Sequence, residues 1–265
     1  EEFVQFLDTQ GLSHVEIRRG YLDTRPDAPT PSELRDIAES YGVTYSFHAP
    51  HIDSNLGNLN EPLRRGTVES VIETLDDAAV AGAGAVVVHG GDVPKRYPER
   101  VQRYSREQAV RSLRECARHA DDVGVPLCLE NQRERASRRR HTSTPDRLAA
   151  LVDDVGVHSP YFGSTLDVGH AKVTGIDYRE FVDRFGDRIV VAHLHDNDGT
   201  DDDHDPIPTF RDVAADVGAE YNVLEMKSLA DIEQCVRGES PRQRRHVVDR
   251  FGPRRVLIAA CILAG

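Results

Sequence analysis

Six segments of the sequence that resemble short, buried β-strands end in side chains that bind divalent metal ions. These side chains are His48, His89, Glu130, Asp167, the pair His193 and His195, and Glu225. Imidazole nitrogens and carboxylate oxygens are common protein ligands of zinc, manganese and cobalt. A single His at a strand end is usually a hydrogen-bonded structural residue, but six strands that end alike predict a metal centre.

Two local motifs add candidate ligands. In LDVGH, Asp167 and His170 flank a tight turn, and Gly169 lets the backbone approach closely enough for both side chains to face one cleft. In AHLHDND, His193 and His195 lie on the same face of a strand. Only one of these two imidazoles is needed as a ligand.

The loop after that strand supplies a further candidate pair, Asp202 and His204. The acidic run from Asp201 to Asp205 is also typical of a solvated loop, because runs of like charge are usually hydrated. Both interpretations stay open from the sequence alone.

Five arginines follow the predicted strand that ends at Glu130, in a chain whose net charge is −12. They are Arg133, Arg135, Arg138, Arg139 and Arg140. Guanidinium groups form paired hydrogen bonds with phosphate oxygens. We therefore predict that Arg138, Arg139 and Arg140 bind phosphate, either on a sugar or in a DNA backbone. A mobile surface loop is the alternative.

The elements that position these residues alternate between short apolar strands and longer amphipathic helices, which is typical of a parallel α/β fold. We predict strands over residues 14–18, 44–48, 85–89, 126–131, 162–167, 189–195 and 221–226. Helices are expected over residues 31–41, 66–81 and 105–123, the last with Ser105 as its N-cap. In a parallel barrel all strands end on one face, so the candidate ligands would converge.

A (β/α)8 TIM barrel has eight strands and about 250 residues, whereas this chain of 265 residues shows seven clear strands. It begins with a helical segment, so we predict a barrel that lacks the usual N-terminal first strand. The apolar segment 256–265 either fills the gap between the first and last strands or packs as a helix or a loose tail. Without a linker or repeat, residues 1–265 are predicted to form a single domain.

The composition limits the classes of function. A net charge of −12 repels polyanions and disfavours a general nucleic-acid-binding surface. The longest apolar run is shorter than the roughly 20 residues that cross a bilayer, so no membrane partner is expected. The four cysteines lie far apart and no signal peptide is visible, so we expect reduced thiols in a cytoplasmic protein.

The motifs that contain the candidate ligands, and their order along the chain, resemble those of the xylose isomerase-like barrel superfamily. This superfamily includes sugar and sugar-phosphate isomerases and epimerases together with endonuclease IV (AP endonuclease family 2). The motifs are HAP at His48, VVVHGG at His89, LEN at Glu130, TLDVGH at Asp167 and His170, HLHDND at His193, the DxH of Asp202 and His204, and LEMK at Glu225. They lie within residues 14–228, and the tail 229–265 lies outside the resemblance. Homo-oligomers are common in this superfamily and are therefore expected.

The resemblance to ketose epimerases implies one divalent ion (Mn, Co, Mg or Zn) and a sugar or sugar-phosphate substrate. The implied ligands are Glu130, Asp167, His193 and Glu225. The ion would polarise a carbonyl and stabilise an enediolate, while Glu130 and Glu225 exchange the carbon-bound proton as base and acid. The residues expected to bind substrate oxygens are His48, His89, His170 and His195. Isomerisation, epimerisation and dehydration are not separated by the sequence.

The resemblance to endonuclease IV implies three zinc ions, which would activate water for phosphodiester cleavage at abasic sites in DNA. Counterparts of all nine ligands are present: His48, His89, Glu130, Asp167, His170, His193, Asp202, His204 and Glu225. However, DPIPTF replaces the usual Gly-Glu-Gly after His204, and Gly-Gly replaces Pro-Gly after His89. The sugar enzyme is therefore the first hypothesis, the zinc nuclease the alternative, and a metal-binding barrel without catalysis the third.

Overall fold

The computed structural model describes residues 2–238 and the backbone of residues 257–262. The strands are β1 His14–Arg18, β2 Thr44–His48, β3 Val86–His89, β4 Asp92–Pro94, β5 Leu127–Glu130, β6 Arg138–Arg140, β7 Phe162–Asp167, β8 Ile189–Leu194, β9 Tyr221–Met226 and β10 Leu257–Ile262. The helices are α1 Glu2–Thr9, α2 Arg19–Leu22, α3 Pro31–Tyr41, α4 Glu61–Ala81, α5 Glu99–Val123, α6 Pro145–Val155, α7 Val168–Val173, α8 Tyr178–Phe185, α9 Phe210–Val217 and α10 Leu229–Arg237. A short 3-10 helix, Gly186–Arg188, precedes β8.

Eight parallel strands form a closed barrel in the order β1-β10-β9-β8-β7-β5-β3-β2. The C-terminal strand β10 lies between β1 and β9, with Ala259 opposite His14 and Leu257 opposite Tyr221. The hypothesis that the apolar C-terminal segment fills the gap is confirmed. The predicted (β/α)8 barrel is thus confirmed: helix α1 precedes β1, and β10 pairs with both strand edges that would otherwise be open.

The arginine-rich segment is partly ordered into a strand. β6 pairs antiparallel with β4 in a two-stranded ribbon, with Arg140 opposite Asp92 and Arg138 opposite Pro94. Because β4 follows β3 and β6 follows β5 in the chain, this ribbon lies beyond the carboxyl ends of those two barrel strands. Arg138–Arg140 therefore do not form the mobile loop that was the alternative prediction.

Local signals explain where most helices begin. α3 starts as predicted, because Thr30 and Glu33 form a reciprocal capping box and Pro31 occupies the first turn. α5 starts at Glu99, so Ser105 is not an N-cap as predicted. Instead Ser105 is buried inside the helix, and its hydroxyl donates a 2.7 Å hydrogen bond to the carbonyl oxygen of Gly57.

The main hydrophobic core lies between the helices and the outer face of the barrel, and a separate cluster is formed by Ala85, Val87, Cys128, Val191 and Val223. Cys116, Cys128 and Cys235 are buried thiols, as expected, whereas the side chain of Cys261 lies outside the described residues. Within the described ranges, no helix has the length and apolarity to span a membrane.

Candidate metal centre

Four barrel strands place a candidate ligand two residues after an apolar residue of the small separate cluster. The pairs are Val87 and His89, Cys128 and Glu130, Val191 and His193, and Val223 and Glu225. Residues two apart on a strand share a face. The interior of the barrel is therefore apolar at the level of Val87, Cys128, Val191 and Val223. It becomes polar one layer closer to the carboxyl ends of the strands, where the candidate ligands meet.

His193 Nδ1 is surrounded by three carboxylates from neighbouring strands. It lies 3.6 Å from Glu130 Oε1, 3.9 Å from Asp167 Oδ2 and 3.7 Å from Glu225 Oε2. The nitrogen is buried and has no hydrogen-bond partner. These separations are too long for good hydrogen bonds but suit ligands that share one ion. We call Glu130, Asp167, His193 and Glu225 the His193 site.

A second cluster, the His89 cluster, consists of His48, His89 and Glu130, whose ligand atoms lie within 4.8 Å of one another. Glu130 Oε2 is 2.8 Å from His89 Nε2 and 3.5 Å from His48 Nε2. This oxygen is nevertheless buried without a hydrogen bond of acceptable geometry. A close approach without hydrogen-bond alignment is the relation expected of two ligands of one cation.

A third cluster, the His204 cluster, consists of His195, Asp202 and His204. Asp202 Oδ1 and His195 Nδ1 are buried and lack hydrogen-bond partners. The acidic loop is therefore not simply solvated, because it brings Asp202 and His204 to the end of the barrel. The donor sets of all three clusters suit a divalent ion.

His170 and His195 differ from their expected roles. His170 Nδ1 lies 2.9 Å from the carbonyl oxygen of Asn131, and Nε2 lies 3.2 Å from Asp202 Oδ2, so both ring nitrogens have partners. Among the described residues, none of the tight ligand clusters includes His170. His195 Nε2 lies 3.1 Å from Asp167 Oδ1, and His195 does not line the cavity described below. His195 therefore positions Asp167 instead of facing that cavity.

Glu16, which is buried in β1, was not among the residues predicted from the sequence. Glu16 Oε2 lies 3.1 Å from His193 Nε2 and accepts a 3.2 Å hydrogen bond from the Ser46 hydroxyl. Glu16 also forms a candidate ligand group with His193 and Glu225. The sequence did contain a signal for Glu16, since it is a carboxylate within a predicted strand and lies on the same face as His14.

The site is strongly polarised. Burial alone would raise the pKa of Glu130, but the imidazoles around it hold that pKa well below its usual value. Burial likewise opposes protonation of His193, yet Glu16 and Glu225 raise the pKa of His193 well above its usual value. The buried carboxylate of Glu130 thus keeps its negative charge. Because a bound metal ion replaces protons on its ligands, metal binding here would release protons.

A cavity of about 300 Å³ opens onto these clusters, and we call it the central cavity. The cavity is lined by ligand-type residues, including His48, His89, Glu130, His170, Asp202, His204 and Glu225. It is also lined by four arginines, Arg18, Arg133, Arg135 and Arg140, which we call the arginine wall. His51 also lines the cavity. Neither Arg18 nor His51 was predicted from the sequence.

Of the three arginines predicted to bind phosphate, only Arg140 lines the central cavity. Arg138 is paired with Asp92, with its Nε 2.7 Å from Asp92 Oδ2. Arg139 is exposed and its Nη1 lies 3.3 Å from Gln102 Oε1. The prediction that Arg138 and Arg139 contact the substrate is therefore corrected. In a strand Arg139 must face away from Arg140, and the carboxylate of Asp92 already neutralises Arg138.

Comparison with known proteins places this site in a family. The family model described as xylose isomerase-like TIM barrel matches residues 4–231. An uncharacterized protein of Methanocaldococcus jannaschii is 32% identical over 173 residues, which are 64% of this chain and 57% of that protein. The match thus spans little more than half of that relative. A probable endonuclease 4 of Mycobacterium ulcerans is 31% identical over 199 residues, 72% of this chain and 70% of that protein.

Solved structures share the fold. The crystal structure of a D-tagatose 3-epimerase-like protein superposes with a TM-score of 0.74 at 27% identity, covering 89% of this chain and 88% of that one. A zinc-soaked structure of a protein from Thermus thermophilus superposes with a TM-score of 0.63 at 23% identity, covering 89% and 92%. The second likeness shows the fold alone.

Proposed function

Because the chain belongs to the xylose isomerase-like TIM barrel family, we propose that it is a metal-dependent isomerase or epimerase of a sugar or sugar phosphate. The observation that carries this proposal is the arrangement of Glu130 and Glu225 around His193. Their carboxylates lie 3.6 and 3.7 Å from the same nitrogen, His193 Nδ1, and both residues line the central cavity.

The barrel order supports a two-base exchange of a proton on carbon. Glu225 comes from β9 and Glu130 from β5, and these strands lie on either side of β8, which carries His193. A substrate carbon held between the two carboxylates could lose its proton to one and regain a proton from the other.

Other residues would orient the sugar. His48 and His89 line the cavity beside Glu130, so each can reach a substrate hydroxyl or carbonyl oxygen. A divalent ion bound in the His193 site would supply Lewis acidity to a carbonyl and its neighbouring hydroxyl. The small size of the cavity favours a small molecule over a polymer.

Solvent deuterium exchange tests this function across many candidate sugars at once. The metal-loaded protein is incubated in D₂O with a panel of ketoses, aldoses and their phosphates, and deuterium on carbon is followed by NMR. We expect incorporation next to the carbonyl of at least one sugar, together with an epimer or isomer as product. Absence of exchange on every sugar, with the metal bound, would contradict the proposal.

Zinc-dependent phosphodiester cleavage is the second candidate, and one observation favours it. Eight of the nine residues implied by the endonuclease IV resemblance belong to the three clusters, and these clusters could hold more than one ion. The ninth, His170, does not join a cluster. Cleavage of abasic-site DNA by protein that contains about three zinc ions would support this candidate.

A further inference from the structure

The central cavity is lined by the arginine wall and by the carboxylates of Glu130, Asp202 and Glu225, so charged groups of both signs face it. A substrate bound in this cavity would meet both candidate metal ligands and guanidinium groups. In a chain of net charge −12, four arginines at one cavity are not explained by the overall composition.

The charges of the arginine wall are incompletely neutralised. Within the described part of the chain, Arg135 and Arg140 form no ion pair with a carboxylate, and Arg140 Nε is buried without a hydrogen-bond partner. Burial and the neighbouring cation Arg135 lower the pKa of Arg140. A guanidinium in this state is destabilising unless an anion comes to it.

The other two members of the wall keep donors free. Arg18 Nη2 lies 3.1 Å from His51 Nε2, so the partner of Arg18 is an imidazole and not a carboxylate. Arg133 is 3.2 Å from Asp201, whose side chain is 80% exposed, and its Nε lies 3.6 Å from Asp202 Oδ2, so the charge of Arg133 is partly compensated.

In contrast, neighbouring arginines outside the arginine wall are paired with carboxylates. Arg138 is paired with Asp92, and Arg147 Nη1 lies 2.6 Å from Glu134 Oε2. The chain therefore supplies carboxylate partners to arginines next to the cavity but leaves Arg135 and Arg140 without them.

We propose that the substrate carries a phosphate monoester, and that Arg135 and Arg140 hold it with Arg18 and Arg133 alongside. This inference rests on the proposed function for the sugar part of the substrate and on the arginine wall for the phosphate. A phosphate monoester presents three strong acceptor oxygens and a charge near −2, whereas a carboxylate presents two oxygens and one charge. Several guanidinium forks around one cavity therefore fit phosphate better than carboxylate.

Titration calorimetry on the metal-loaded protein tests the proposal with D-ribulose 5-phosphate, D-ribulose and D-gluconate as probes. We expect the phosphorylated sugar to bind at least about tenfold more tightly than either of the others, because hydrogen bonds to charged groups contribute strongly. Equal affinity for the phosphorylated and unphosphorylated sugars would overturn the proposal. Tighter binding of gluconate would assign the arginine wall to a carboxylate and would also overturn it.

Variants localise the effect. Arg140→Gln and Arg135→Gln should each weaken D-ribulose 5-phosphate binding by about tenfold or more and leave D-ribulose binding unchanged. Arg140→Lys should recover part of the loss. Arg139→Gln is the matched control, since Arg139 is adjacent in sequence but outside the cavity, and it should change neither affinity. Loss of affinity for abasic-site DNA with no change for the sugar phosphate would favour the nuclease instead.

The calorimetric result and the proposed function can fail separately. Suppose that the phosphorylated sugar binds more tightly, that Arg140→Gln abolishes this preference, and that no sugar exchanges deuterium. This result would support the phosphate subsite and refute the isomerase function. Deuterium exchange on an unphosphorylated sugar that binds as tightly as the sugar phosphate would support the isomerase function and refute the phosphate subsite.

Discussion

Glu16 Oε2 lies 3.1 Å from His193 Nε2, and this buried contact determines which nitrogen of His193 is free to bind a metal ion. With Nε2–H donated to Glu16, the lone pair of Nδ1 faces Glu130, Asp167 and Glu225. A carboxylate behind a metal-binding imidazole fixes the ring and raises its basicity. Glu16 is therefore a positioning residue.

Replacement of Glu16 by Gln should weaken metal binding by about 10- to 100-fold while the protein stays folded, because an amide is a poorer acceptor for His193. Competition with a metal-sensitive dye measures the affinity. The exposed Glu39 provides the control Glu39→Gln, which should leave the affinity unchanged. Equal affinities for Glu16→Gln and wild type would mean that the contact is only structural.

Glu130→Gln and Glu225→Gln should each abolish turnover in a protein that still folds, since each change removes both a base and a candidate ligand. Loss of a general acid or base alone lowers the rate by about 10²- to 10⁴-fold. Deuterium exchange measures the loss, and thermal unfolding confirms the fold. Wild-type exchange in either variant would refute the two-base mechanism.

Gly169→Ala should disturb the site through packing. An added Cβ at Gly169 would overlap the ring of His195, which contacts Asp167 at 3.1 Å. We expect a loss of about 1–3 kcal/mol in the free energy of unfolding, together with weaker metal binding. In contrast, Gly66→Ala in α4 adds a methyl group to open space and should stabilise the protein by about 0.5–1 kcal/mol. A tolerated Gly169→Ala would show that His195 moves freely.

His141 should make the protein less stable in mild acid. Burial, followed by Arg106, lowers its pKa from 6.5 to about 4. Between these values the unfolded chain binds the proton and the folded chain does not, so stability is full above pH 6.5 and falls as the pH falls to about 4. Urea denaturation at several pH values should show less of this loss in His141→Gln than in wild type. An identical pH dependence in both proteins would contradict the assignment.

Much of the barrel could be predicted because strand and helix periodicities are local. The bounds 14–18, 44–48, 162–167 and 221–226 were predicted as found, and the ligand-type residues at strand ends pointed to one face. The C-terminal strand β10 was predicted only as one of two options, because an apolar run of that length fits a buried strand or a buried helix.

The contacts between distant side chains could not be predicted. The pairing of Arg138 with Asp92 depends on a ribbon of two three-residue strands, which are too short to produce a periodic pattern. The contact between Glu16 and His193 joins residues on two strands that lie far apart in the sequence. Ser105 failed as an N-cap because the polar residues before it continue the helix on its exposed side.

Metal content per chain tests the central claim most directly, measured by elemental analysis of protein purified without chelator, for wild type and Asp202→Asn. We predict about one divalent ion per chain, held in the His193 site and retained in Asp202→Asn because Asp202 lies outside that site. About three zinc ions per chain in wild type, with loss of zinc in Asp202→Asn, would contradict this claim and indicate phosphodiester cleavage.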